Sequence, residues 1–373
     1  MAIFDPHRND LAALDARDRR RSLSPRRGVD FSSNDYLGLA DSSRLRAAVA
    51  DALARGVPVG SGGSRLLRGN CDEHEALEAE AARFFGSESA LFFASGFAAN
   101  TTLFATLPQT GDLVVHDGLI HASAHEGMRL GRATCVAAAH NDAGAFDDAI
   151  RSWRRAGGMG TPWIAVESLY SMDGDRAPLA ELARVAKHHD AILLIDEAHA
   201  TGVLGTDGRG LAGELDDQQN VISLRTCGKA LGCEGALLCG PTVMREFLVN
   251  RGRGFIFSTA PSPLMASAVR ESLRILADEP GRRERLRTLV MFAERTLARC
   301  GVGFNGSQIL PLVIGDDAAT MRLAGAVQAA GFDVRGIRPP TVPAGTARLR
   351  ISLTLNVTET DIVALADVLE GLQ

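Results

Sequence analysis

Between residues 85 and 240 short apolar runs, SALFFAS, GDLVVHD, TPWIAVES, AILLIDEAH, NVISLRT and GALLCG, alternate with longer stretches of mixed polarity. The runs are rich in branched and aromatic residues and almost free of charge, which is the pattern of strands buried on both faces. Such strands need helices on each side, so the spacing predicts an α/β fold around a mostly parallel central sheet. Several runs end in polar residues with catalytic potential: His116 and Asp117, Glu167 and Ser168, Asp196 to His199, and Thr226 to Lys229. Ligands of open α/β sheets bind beyond the carboxyl ends of the strands, so these ends are expected to converge on one crevice.

At 373 residues the chain is too long for one small core. After FIFSTAPSP the composition turns to an arginine-rich helical stretch, followed by short strands at ILPLVIGD and ARLRISLT. This predicts an N-terminal arm over residues 1–40, a large α/β domain over 41–274 and a smaller α+β domain over 275–373. A net charge of −5 with 23% charged residues gives no basic footprint for nucleic acid. The N-terminus lacks a continuous apolar stretch of signal length and no segment is long enough to cross a bilayer, so a cytoplasmic protein without a membrane partner is expected. The six cysteines are scattered without a CxxC pair, which points to neither a zinc cage nor a disulfide framework.

Lys187 and Lys229 are the only lysines among 40 basic side chains. Lys187 sits at a polar helix end, where any cation is mildly favoured by the helix dipole. Lys229 lies among glycines and small residues in TCGKALG, a setting for a tight turn. A lysine amine can lose its proton when desolvated and attack a carbonyl, whereas arginine cannot, so a Schiff-base lysine would resist replacement.

Other segments carry compatible chemistry. Asp196 ends an apolar strand in LLIDEAHATG, and a buried carboxylate there calls for a cationic partner such as a protonated pyridine nitrogen. In FFASGFAAN a strand runs into a helix beginning near Phe97, with Gly96 allowing close approach to amides that suit a phosphate. His121 and His125 are four apart in HASAHEG, but no glutamate lies between them and no third ligand is evident, so no metal site is expected. His121 suits stacking on an aromatic ring, and His125 a structural role. VGSGGSRLLRGN lacks the βαβ context of a dinucleotide fingerprint, and around CGKA a Walker loop is excluded by Ser223 and Ala230. In TARLRISLT alternation puts Arg348, Arg350, Ser352 and Thr354 on one face. A carboxylate clamp needs one arginine, so Arg350 is the candidate and Arg348 is expected on a solvated face.

Together SNDYLGL, GSGGSRLLRGN, HEALE, ASGFAAN, SMDGDRAPL, DEAHATGVLGTDGRG, TCGKALG and RPPTVPAGTARLR, in this order over nearly the whole chain, resemble the α-oxoamine synthases. The resemblance implies the aspartate-aminotransferase-like architecture of fold-type I pyridoxal 5′-phosphate transferases. It implies Lys229 as the Schiff-base lysine, Asp196 as the partner of the pyridinium nitrogen, His199 as a hydrogen bond to the ring hydroxyl and His121 as the stacking base. The phosphate would be held by Gly96, Phe97 and Thr226, and by Thr259 from a second subunit, which implies a homodimer with shared sites. Asn34, Ser171 and Arg350 would hold the amino-acid carboxylate, with Arg338 as a second candidate, and one of Arg19, Arg20 and Arg21 would meet the acyl chain, Arg21 being the choice. The implied substrates are an amino acid, expected to be L-alanine, and a pimeloyl thioester carried on coenzyme A or a carrier protein. The resemblance leaves open glycine or serine, other acyl chains, and a non-catalytic acyl-binding relative. A short N-terminal arm, RLLRG in place of small residues, and the lack of a histidine in SLTLNVTE depart from the family and bear on acyl-chain selection.

Overall fold

The six apolar runs all become strands of one sheet in the computed structural model, which describes residues 3–372. Across this sheet the order is Ser89–Phe93, Ala236–Gly240, Val221–Thr226, Ile192–Asp196, Pro162–Glu167, Leu113–Asp117 and Thr134–Ala138. Only Ala236–Gly240 runs against its neighbours. The strand Thr134–Ala138, with the short run CVAA of mostly small residues, is an edge strand with four of its residues exposed.

Alternation along each strand feeds two cores. Val114 packs with Leu103, Phe104 and Met128 on one face, while Leu113 and Val115 pack with Phe146, Ile150 and Leu182 on the other. Each fully buried leucine or phenylalanine contributes about 1.5–3 kcal/mol, which holds the strand ends in fixed register. In that register Glu167 stands opposite Asp196, and Asp196 opposite Leu224.

By compactness the chain divides into Leu37–Ser171 with Asp175–Arg283, and Met1–Tyr36 with Met172–Gly174 and Glu284–Gln373. The boundary expected at residue 275 falls inside the helix Pro263–Asp278, whose buried face includes Val269, Leu273 and Ile275, so the whole helix belongs to the larger unit. Part of the stretch expected as an arm is anchored. Val29 and Phe31 donate to Gly331 and Asp333, and Ser352 donates to Phe31 oxygen, so residues 29–31 are tied by backbone bonds into the smaller unit, while the helix Asp5–Asp15 buries none of its residues.

The smaller unit is built on the antiparallel order Arg335–Ile337, Ala347–Ser352, Ile309–Gly315. Its middle strand is buried along its whole length, which corrects the solvated face expected for Arg348: that side chain is 4% exposed and paired with Asp173. A buried guanidinium needs such a partner, because an unpaired charge there is costly. Among the described residues no helix is long and apolar enough to cross a membrane.

Candidate active site

The reversal of one strand places Lys229. Thr226 and Ala236 are paired across antiparallel strands, so the connection between them must turn back at the carboxyl edge of the sheet. It does so through bonds from Cys227 nitrogen to Gly235 oxygen at 2.8 Å and from Gly232 nitrogen to Lys229 oxygen at 2.8 Å. Gly232 has φ +62°, and a Cβ there would come within 2.5 Å of Ala40 nitrogen, so only glycine closes this turn. Lys229 is half-buried at its start.

Asp196 ends its strand 9% exposed. Its Oδ1 accepts from Ala198 nitrogen at 2.9 Å, and its Oδ2 accepts from Asn100 Nδ2 at 2.7 Å. Asn100 Nδ2 also donates to Ser123 Oγ at 3.0 Å, and Ser123 Oγ lies 2.7 Å from His121 Nδ1. His121 caps the helix Ala122–Leu130, its Nδ1 accepting from Ser123 nitrogen. With Nδ1 acting as acceptor, Nε2 carries the proton, so this chain fixes the tautomer of a neutral ring. The pKa of His121 is lowered mainly by burial of the ring; Asp196 opposes this shift and Lys229 adds to it. Asp196, His121 and Lys229 therefore share one electrostatic environment.

Glu167 belongs to the same group. It is fully buried, and its pKa is raised well above the usual carboxylate range by burial and by Asp196 beside it, against a smaller opposing effect of Lys229. Its Oε2 accepts from Ser171 nitrogen at 3.2 Å. His199 is buried in the turn after Asp196, where Ala200 and Thr201 donate to Glu197 oxygen.

At the neighbouring strand end Ser95 caps the helix Gly96–Thr106, its Oγ accepting from Ala98 nitrogen at 3.1 Å. The first-turn amides have no carbonyl partner within a helix and face outward with the positive end of the dipole. Gly96 sits beside Thr226: a Cβ on it would stand 3.7 Å from Thr226 Oγ1. Phe97 is half-exposed next to it.

Thr259 is exposed on a loop held to the glycine-rich segment, with Ala260 nitrogen donating to Gly63 oxygen and Ser61 Oγ to Ala260 oxygen. His125 meets His116 edge to face at 5.0 Å between ring centres. In the smaller unit Tyr36 Oη donates to Asn34 Oδ1 at 2.9 Å and lies 3.4 Å from Arg350 Nη2, so Asn34 and Arg350 come together there. Arg338 donates to Arg20 oxygen at 2.8 Å. Burial, then the nearby Arg21 cation, lower its pKa. Arg21 itself is exposed, 3.4 Å from Thr341 Oγ1.

The larger unit thus gathers Gly96, His121, Ser171, Asp196, His199, Thr226 and Lys229 at one edge of its sheet, and the smaller unit gathers two arginine centres. Sequence reasoning missed Asn100 and Ser123, and marked Glu167 only as a polar strand end. The available signal for Asn100 was the one amide side chain in a helix of small, apolar and threonine residues, since a buried polar group requires partners. In chemical terms the larger unit offers a carboxylate, an imidazole, an amine and an amide-and-hydroxyl cradle, a set that fits a planar pyridine bearing a phosphate and an aldehyde.

Residues 26–369 match the family model for aminotransferase class I and II. The chain is 42% identical to the 8-amino-7-oxononanoate synthase of Anaeromyxobacter dehalogenans, over 92% of this chain and 89% of that one. It is 41% identical to the enzyme of the same name from Chromobacterium violaceum, covering 91% and 88%. Among solved structures it resembles the serine palmitoyltransferase of Sphingomonas wittichii, with TM-score 0.88, 28% identity and coverage of 99% and 97%. It also resembles the 8-amino-7-oxononanoate synthase of Francisella tularensis, with TM-score 0.77, 27% identity and coverage of 92% and 97%. The donor set at the sheet edge and these likenesses lead to one conclusion: the chain belongs to the aminotransferase class I and II family, and within it to the α-oxoamine synthases, enzymes that work with pyridoxal 5′-phosphate.

Proposed function

We propose that this enzyme condenses L-alanine with a pimeloyl thioester, releasing carbon dioxide and the thiol and giving 8-amino-7-oxononanoate, a step of biotin biosynthesis. The observation that carries the reading is the shared environment of Lys229, Asp196 and His121 at one strand edge, in a chain 42% identical to enzymes of that name.

When bound, the cofactor supplies an electron sink for the pair left on the substrate α-carbon. Lys229 Nζ is the covalent attachment point and the base that moves the α-proton. Asp196 carboxylate, oriented by Asn100 and Ala198, holds the proton on the ring nitrogen. Glu167, whose pKa is pushed up by burial and by Asp196, accepts the Ser171 amide. His121 would stack on the ring, with the Asn100–Ser123 chain fixing the imidazole's orientation, and His199 would bond the ring hydroxyl. The amides of Gly96 and Phe97 and the hydroxyl of Thr226 hold the phosphate, joined by Thr259 from a second copy, so the working form is a homodimer. Exposure of Thr259, and of Leu67 at 81% and Phe257 at 70% in the segments around it, supports that assignment.

Arg350 with Asn34 suits the carboxylate of the amino acid, and Ser171 assists. Arg338 and Arg21, two cations beside one another, suit a second anion. That pairing favours an acyl chain ending in a carboxylate over palmitoyl, even though serine palmitoyltransferases are close in structure. The carrier is coenzyme A or a carrier protein.

A panel of alanine, glycine and serine against pimeloyl, acetyl, succinyl and palmitoyl thioesters, read by mass spectrometry, tests the reading. Alanine with the pimeloyl thioester is expected to give the fastest product formation. Faster turnover of serine with palmitoyl, glycine with acetyl, or glycine with succinyl would assign another reaction of the family. No turnover in any well would point to a non-catalytic acyl-binding relative.

A further inference from the structure

A second polar cluster in the larger unit lies outside the groups used above. The strand Leu113–Asp117 ends in a fully buried aspartate. Asp117 Oδ1 is 2.8 Å from His140 Nδ1, and its Oδ2 accepts from Asn141 nitrogen at 2.9 Å. The other ring nitrogen, His140 Nε2, is 2.7 Å from Asp175 Oδ2, and Asn141 Nδ2 donates to the same oxygen at 2.6 Å. Tyr170 meets the histidine edge to face at 4.4 Å between ring centres.

Asp175 and Tyr170 lie on opposite arms of a hairpin. Tyr170 nitrogen donates to Asp175 oxygen at 2.9 Å and Ala177 nitrogen to Ser168 oxygen at 3.1 Å, with a bridge between Leu169 and Arg176. Ser171 follows this paired neck directly. A neutral imidazole has one N–H and would turn a lone pair toward one of the two carboxylates; only the imidazolium donates to both. Burial alone would lower the pKa of His140, but the bonds to Asp117 and Asp175 outweigh it and the net shift is upward.

We propose that His140, held as an imidazolium between Asp117 and Asp175, is a positioning residue that clamps the neck of the 168–177 hairpin to the sheet and thereby sets Ser171 for amino-acid binding. The proposal rests on the role given to Ser171 above. His140 touches neither substrate nor cofactor, so its effect is read through the hairpin.

The test uses cofactor-loaded wild type and His140→Ala. In the variant KM for alanine is expected to rise at least tenfold, with KM for the thioester and cofactor affinity within twofold of wild type. The amides of Tyr170 and Ala177 should exchange with deuterium faster. Added imidazole should restore part of both the KM and the protection. Asp175→Asn, a milder change at the rim, should move both in the same direction by less, and stands in if His140→Ala does not fold. Unchanged KM for alanine in the folded variants would overturn the proposal, as would a uniform loss of cofactor affinity and both KM values, which marks mere scaffolding. Wild type that fails to turn over alanine would instead overturn the functional reading, and the exchange data would still decide whether the clamp exists.

Discussion

Gly96→Ala separates the fold from the cofactor. A Cβ at position 96 would meet Thr226 Oγ1 at 3.7 Å, Leu224 Cδ2 at 3.8 Å and Thr226 Cβ at 3.9 Å, all ordinary contacts. The residue is helical, so the backbone accepts alanine and gains up to about 1 kcal/mol of helix propensity. The cofactor-free protein should melt at the wild-type temperature or slightly above it. The added methyl, however, points between Gly96 and Thr226, where the phosphate is proposed to sit. Displacing one charge-assisted hydrogen bond costs about 1.5–3 kcal/mol, or roughly 10- to 150-fold in affinity. Titration of pyridoxal phosphate into cofactor-free protein, followed by its visible absorption, measures this. Gly127→Ala is the converse control: its Cβ would stand 2.7 Å from Phe104 Cβ and 2.9 Å from Thr101 oxygen. That overpacking should destabilise by about 1–3 kcal/mol. Cofactor affinity of Gly96→Ala within twofold of wild type would refute the placement of the phosphate. A large drop in its melting temperature would show that the glycine serves the fold.

Other outcomes follow from single contacts. Asn100→Ala removes the donor that orients Asp196 and fixes Ser123, so cofactor affinity should fall about tenfold; Asn100→Asp, setting a second carboxylate against Asp196, should lose more in the same titration. Arg225 is fully buried with Asp216 and Glu197, and Arg225→Met should cost about 3–5 kcal/mol in denaturant unfolding because it leaves buried acids uncompensated. Burial works to raise the pKa of Glu73, but bonds from Ser267, Arg55 and Arg270 outweigh it and bring the value to about 2. A depressed carboxylate stabilises above its unfolded value and loses that contribution as pH falls through the folded one. The stability gap between wild type and Glu73→Gln should therefore shrink from pH 6 to pH 3 in thermal melts.

The strands were legible because they are buried on both faces and their apolar runs are unbroken, and the polar residues at their ends marked the crevice. Thr134–Ala138 was not, since this exposed edge strand is built mostly of small residues and lacks the large branched and aromatic side chains of the buried strands. Lys229 stood out through the rarity of its residue type. Asn100 and Ser123 did not, because their role depends on two helix starts meeting one strand end, and periodicity within one segment is blind to that. Arg348 was misread for a related reason: strand alternation assigns a face, but what covers that face is set by distant parts of the chain. The division between units escaped a composition-based boundary because the helix Pro263–Asp278 resembles its arginine-rich successor while burying its face in the larger unit.

The central claim is that Lys229 carries the cofactor, and a chain with two lysines allows a direct test. Borohydride reduction of the cofactor-loaded enzyme fixes an aldehyde cofactor to the amine that bears it, and peptide mapping then locates the added mass. The account predicts one label per chain, on the peptide containing Lys229, and none in Lys229→Ala. A label on Lys187 or on the chain terminus, or none on wild type, would contradict it.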